Sequence, residues 1–167
     1  MRRRRSTGQA LLEFSLVLPI FLVMLMGVVD VGRAIWAQNS LAAAAREGAR
    51  FAIVHGGSMT TACPVGPPVA DVTIIPPASA PCPYPSPSTQ AIKDAVIAAA
   101  NAGGTSLTVT VCYGTGCSGD TNALNATNAR GTPVTVAVSS RINLITPSLL
   151  GMGGFGVSSV TTMVVNH

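Results

Sequence analysis

Residues 14–29 read FSLVLPIFLVMLMGVV, sixteen positions without a charge, and extending the run back to Gln9 gives twenty-one positions of which only Glu13 is charged. An α-helix rises 1.5 Å per residue, so twenty-one residues reach about 30 Å, the thickness of a bilayer's hydrocarbon core. The stretch is therefore read as a transmembrane helix over 9–29. Pro19 and Gly27 would weaken a soluble helix, but a membrane helix tolerates both where neighbouring groups satisfy the freed carbonyls. A removable secretory signal fits poorly. It would carry a small-x-small cleavage site after its apolar core, whereas this run ends in Asp30 and Gly32-Arg33.

Working outward, the N-terminal side holds Arg2, Arg3, Arg4 and Arg5, four of the ten basic residues in the 167-residue chain. Without them six basic residues face six acidic ones, so the formal charge of +4 belongs to a leader over 1–8. A basic cluster just before an apolar span anchors that end on the cytoplasmic side. No basic surface is left over for nucleic acid, and none is expected as a partner. Charged residues make up 10% of the chain, well below the roughly 25% of soluble domains, which fits a membrane-associated or secreted protein. Glu13 has two readings on cost alone. It is an intramembrane acid with a functional partner, or it sits wet at headgroup level.

Residues 7–14 read TGQALLEF, with Gly8 five positions before Glu13. This resembles the class III signal of type IV pilins and pseudopilins, in which a short basic leader ends in Gly and Glu is the fifth residue after it. The following LVLPIFLVMLMGVVDVGRAIW and AAAAREGARFA resemble the N-terminal region of TadE-like proteins, minor pseudopilins of tight-adherence (Tad) pili, over about residues 8–54. Asp30, Gly32 and Arg33, then Arg46, Glu47, Gly48 and Arg50, are the most specific of the matching residues. The resemblance implies cleavage between Gly8 and Gln9 by a prepilin peptidase. It also implies a Glu13 that pairs with a neighbouring subunit's new N-terminal ammonium and so sets the register of packed helices. Gln9 stands where type IV pilins carry Phe, so N-methylation is not implied.

Between Asp30 and Val54 no breaker appears, and the same helix is expected to extend outward over 30–56 until His55-Gly56-Gly57 stops it. At 100° per residue Arg33, Asn39, Ser40, Arg46, Glu47 and Arg50 share one face. Ala34, Ile35, Leu41, Ala42, Ala45, Gly48, Ala49, Ala52 and Ile53 share the other, with Gln38 as its only polar member. So small a stripe suits close approach to a sheet or to sister helices, or burial in the chain's own domain.

Residues 57–88 hold nine of the twelve prolines and read as an extended loop. A second helix follows, with Ser86 as N-cap, Pro87 at the first helical position, a stripe of Ile92, Ala95, Val96, Ala99 and Ala100, and Gly103-Gly104 as its stop. Runs over 106–113, 132–142 and 156–165 favour strand, with threonines and serines alternating with valines. Residues 143–155, NLITPSLLGMGGF, read as an apolar crossover. The expected fold class is α+β: a membrane-spanning N-terminal helix continuing into a pilin-like outer domain over 89–167, with a small antiparallel sheet and a short second helix.

Four cysteines beyond the span point to oxidation. Three connectivities are possible. Cys63 with Cys82 and Cys112 with Cys117 are favoured, because each pair closes a loop rich in Gly or Pro. A zinc site is the sharper alternative, but no C-x-x-C or paired-His spacing occurs, and no metal or cofactor is expected. His55 and His167 have no acid or nucleophile at a recognised spacing, and no nucleophile elbow, P-loop or dinucleotide fingerprint is present, so no enzyme activity is expected. Two functions remain. The resemblance implies a minor pseudopilin in the bacterial cell membrane, with cytoplasmic N-terminus and extracytoplasmic C-terminal domain, working with a prepilin peptidase, an inner-membrane assembly platform, other pilins and membrane lipid. Alternatively the chain is an uncleaved single-pass surface binding or adhesion module.

Overall fold

The structure, a computed structural model, describes residues 6–57, 65–67, 89–100, 106–116, 119–120, 122, 126–149, 151 and 153–166. The leader arginines Arg2 to Arg5, Cys63, Cys82 and Cys117, most of the Pro-rich loop, Ser86, Pro87, Gly103 and Gly104 lie outside the described residues.

One continuous helix, α1, runs over Ser6–Val54, with Pro19 inside it. At 1.5 Å per residue its 49 residues make a rod of about 73 Å. Among the described residues α1 is the helix long and apolar enough to cross a membrane. It starts before the cleavage position instead of after it. It ends where the sequence places the stop, with the chain turning back on itself: His55 N donates to Phe51 O at 3.2 Å, Gly57 N to Asn128 O at 3.0 Å and Val65 N to His55 O at 2.9 Å. Asn128 is fully buried at this corner, and its Nδ2 donates to Val65 O at 2.9 Å. Gly66 sits in the same corner at φ +89°, and a Cβ there would lie 2.3 Å from Tyr113 Cζ, so only glycine fits.

The outer domain is α+β. Three strands, β1 (Ser106–Tyr113), β2 (Pro133–Ile142) and β3 (Phe155–Val164), form an antiparallel sheet in the order β1-β2-β3. Each lies within one residue of its expected position. On β2, Val134, Val136, Val138, Ser140 and Ile142 turn inward. The residues between them face outward, where Thr135 Oγ1 meets Thr162 Oγ1 of β3 at 2.9 Å. The outer half of α1 covers the inner face. β1 is an edge strand, and loop side chains occupy two of its amides: Val111 N donates to Asp120 Oδ1 and Tyr113 N to Asn122 Oδ1, both at 3.0 Å. Lys93 of the second helix pairs with Asp120, fastening that helix to the strand edge. Cys112 is buried in β1.

That second helix, α2, covers Gln90–Ala99. Its N-cap is Thr89 rather than Ser86, and the first helical bond runs from Lys93 N to Thr89 O at 3.1 Å. Ile92 and Val96 are its fully buried residues, while Ala95, Ala99 and Ala100 are half-buried. The crossover over 143–155 contains a further short helix, α3 (Ile145–Leu149), that sequence reasoning did not foresee.

The buried stripe of α1 is rotated from the expected one. Ala37, Leu41, Ala44, Ala45, Gly48, Ala49 and Ala52 are buried, whereas Ile35 is 57% exposed and Ala42 and Ile53 are half-buried. Steps of four, three, four and four from Ala37 to Leu41, Ala44, Gly48 and Ala52 track one line along a 3.6-residue helix. The smallest side chains on that line are the ones that let the sheet and α2 close onto the rod. Gln38 stands beside it, and its Nε2 donates to Ser158 O of the outer strand β3 at 3.0 Å.

Candidate assembly surface

The part of α1 that precedes the outer domain is bare. Every residue from Gly8 to Leu25 is exposed, including Leu11, Leu12, Phe14, Ile20 and Met24. An apolar cylinder of this length is stable only against lipid or other apolar helices.

Within that cylinder the expected cleavage and register residues are adjacent and open. Gly8 is exposed, and a side chain built on it would meet nothing within 4 Å. The Gly8 to Gln9 bond lies in the first turns of α1, where amides lack helical partners and local unwinding costs least. Glu13 is exposed one turn further on, and Gln9 Nε2 donates to its Oε1 at 3.4 Å. Among the described residues no cation pairs with Glu13.

The other residues of the resemblance divide by role. Gly48 is buried where α1 crosses α2, and a Cβ there would fall 2.2 Å from Val96 Cγ2 and 3.4 Å from Val136 Cγ1. It is a close-approach glycine within this chain. Arg46, Glu47 and Arg50 are exposed on the opposite side of the rod. Gly32 is exposed with open space around it.

Asp30 is the one buried carboxylate among the described residues, 4% exposed at the point where the apolar run ends. Its Oδ1 accepts from Ile145 N at 2.9 Å and its Oδ2 from Thr146 N at 2.6 Å. These are two of the first amides of α3, which have no partner inside their own helix. Asp30 therefore caps a helix 115 residues away in sequence and ties it to α1. Arg33, half-exposed, stands 3.9 Å from the same carboxylate. The Thr146 backbone N–H holds the Asp30 carboxyl below its ordinary value of 3.8; burial opposes this, and the Ile145 amide and Arg33 assist.

A depressed carboxylate pKa stabilises the fold above the unfolded value and loses that contribution as pH falls through the folded one. The α3 contact is thus expected to be intact above about pH 4 and to open only in stronger acid. Asp30→Ala should remove the contact at neutral pH. Hydrogen exchange of the Ile145 and Thr146 amides should then accelerate at least tenfold, with β1 and β2 unchanged. Unaltered protection at 145 and 146 would contradict the assignment.

The sequence singled out Asp30 without its partners. Ile145 and Thr146 contribute through backbone amides, which no side-chain motif reveals, and the only local signal was an acid closing an apolar run. Residues 8–50 match the family model of TadE-like proteins. Nothing among curated proteins or solved structures matches the chain. The matched segment is α1 alone. It includes the bare cylinder, Glu13, Asp30 and the crossing at Gly48, and excludes the sheet.

Proposed function

We propose that the chain is a minor pseudopilin that takes part in assembling a Tad-type pilus or secretion apparatus and does no chemistry of its own. It enters the membrane with the arginine leader in the cytoplasm, is cut after Gly8 by a prepilin peptidase, and packs its bare helix against pilins and the inner-membrane platform. The observation that carries this reading is the placement of Gly8 and Glu13 on an uncovered apolar helix within the segment that matches TadE-like proteins. A single carboxylate on such a surface is costly in lipid unless a counter-charge meets it. The ammonium that cleavage creates at Gln9 of a neighbouring copy is a counter-charge at matching height.

N-terminal sequencing of the membrane-extracted protein, from cells with an active prepilin peptidase, tests this. A start at Gln9 is expected, and Gly8→Val should abolish it, leaving a heavier membrane form. A start at Met1 or Arg2 in the unaltered protein would instead support an uncleaved surface anchor that keeps its arginines.

Oxidation of the outer domain is part of the same reading, with Cys63 joined to Cys82 and Cys112 to Cys117. Alkylation of the native protein before reduction should label none of the four cysteines, and peptide mapping should recover those two pairs. Full labelling without reductant would rule out the oxidised domain.

A further inference from the structure

The outer half of the molecule leaves one cluster of large apolar side chains uncovered beside the end of the span. Ile145 and Leu149 of α3 are 45% and 69% exposed, and Phe155, at the start of β3, is 57% exposed. They surround two open apolar cavities against α1. One, of about 290 Å³, is lined by Gly27, Asp30, Val31, Ala34, Pro147 and Phe155 among others. The other, of about 530 Å³, brings Ser148 and Leu149 to Met26.

Met26 is four residues below Asp30, inside the apolar run. Residues 8–25 are all exposed, and Met26 and Gly27 are the first positions of α1 that are partly covered. If residues 9–29 cross the bilayer, α3 lies level with the last turn of the span, where hydrocarbon meets headgroups.

A backbone segment can enter that zone only if its polar groups have partners. Asp30 supplies such partners to the first turn of α3 by taking up the Ile145 and Thr146 amides. Two exposed arginines stand on the outward side of the same region. Arg33 is one turn beyond Asp30, and Arg141 precedes Ile142, the register partner of Phe155. Apolar side chains at the acyl boundary with cations just above them is the arrangement of an interfacial membrane contact.

We propose that α3 and Phe155 form a second membrane contact, seating the outer domain on the outer surface of the bilayer that α1 crosses. The occupant of the apolar cluster is lipid, chosen because the cluster is continuous with the apolar surface of the span through Met26. Asp30 fixes the height at which the domain sits. This rests on the single-pass reading of α1 given above.

The test uses the full chain in phosphatidylethanolamine and phosphatidylglycerol vesicles, with Trp36→Phe as background to remove the native indole. Leu149→Trp places a probe on α3, and Leu22→Trp places a control in the span; both positions are exposed, so neither change disturbs the core. Lipids brominated near the headgroup end of the acyl chain should quench the indole at 149 at least twofold. Lipids brominated at mid-chain should preferentially quench the one at 22. Quenching at 22 with none at 149 would overturn the inference and leave the span intact. A blue-shifted but unquenched indole at 149 would overturn it too, by placing a second protein copy on the cluster. Absence of quenching at both positions would overturn the single-pass reading and the inference with it.

Discussion

Gly48→Leu is expected to separate α2 from α1 and unfold the outer domain under conditions where the unaltered protein is stable. Two terms of opposite sign act on any side chain at this position. Glycine inside a helix is disfavoured by about 1 kcal/mol relative to alanine, so a replacement gains helix propensity. Against this, even a single Cβ would lie 2.2 Å from Val96 Cγ2, nearer than any real contact. Val96 is fully buried, and a valine in a helix has one strongly preferred rotamer, so it cannot turn aside. Overpacking of this kind costs about 1 to 3 kcal/mol when the surroundings can shift. A leucine needs more room than a shift supplies. The remaining outcome is loss of α2, which uncovers Ile92 and Val96 at about 1.5 to 3 kcal/mol each. Together these come to about 3 to 6 kcal/mol, a large share of the roughly 5 to 15 kcal/mol by which a domain is stable. Thermal unfolding of the full chain in detergent, followed by near-ultraviolet circular dichroism, should show a midpoint lowered by 15 °C or more, with Gly48→Ala between the two. An unchanged midpoint for Gly48→Leu would mean that α1 and α2 do not cross at this glycine.

Glu13→Ala should leave cleavage and insertion intact yet abolish co-purification with pilins and platform proteins. The substitution removes a charge from a helix surface that faces apolar surroundings. Insertion of the isolated helix is therefore eased, by something under the roughly 2.5 to 3.5 kcal/mol that an acid costs at a span's centre. Assembly moves the other way. The Gln9 ammonium of the neighbouring copy would be buried without its counter-charge, at a cost of about 3 to 5 kcal/mol, which corresponds to a loss of roughly two to four orders of magnitude in affinity. A variant cut after Gly8 that still co-purifies at the unaltered level would remove the pairing role and leave Glu13 as a recognition mark for the peptidase. Both measurements come from one membrane extract, so a failure of processing cannot be mistaken for a failure of assembly.

What could be read in advance follows from how local each cause is. The long helix and the three strands are set by runs of neighbouring side chains, and the sequence places them to within a few residues. The stripe on α1 was harder. Alanines occupy both flanks of the small face, so Ala37 and Ala44 are indistinguishable in kind from Ala34 and Ala42, and only the sheet decides which are covered. The 100° projection puts Ile35 on the small face, but it follows the bare cylinder and stays outside. α3 could not be foreseen, because five residues carry no helical period. Its first amides are satisfied from Asp30, far away in sequence. Gly48 was singled out by resemblance, and its reason lies on another helix at Val96.

The position of β3 bears on how the protein is made. Val165, just beyond β3, is fully buried against the rest of the core, and Asn166 N reaches Ile53 O at 3.4 Å. In a chain delivered N-terminal helix first, β3 follows both β1 and β2, so the strand that closes one side of the sheet arrives after its partners. Until β3 is in place, β2 has a partner on one flank only, and the alanine face of α1 has no complete surface to close on. Contacts so distant in sequence form slowly, because the intervening chain must be ordered before they contribute. The newly made domain therefore passes through an interval with an open strand edge and a naked helix face. Chain quality control would act during that interval, and a chain truncated within β3 should be sensitive to proteases although α1 is already formed.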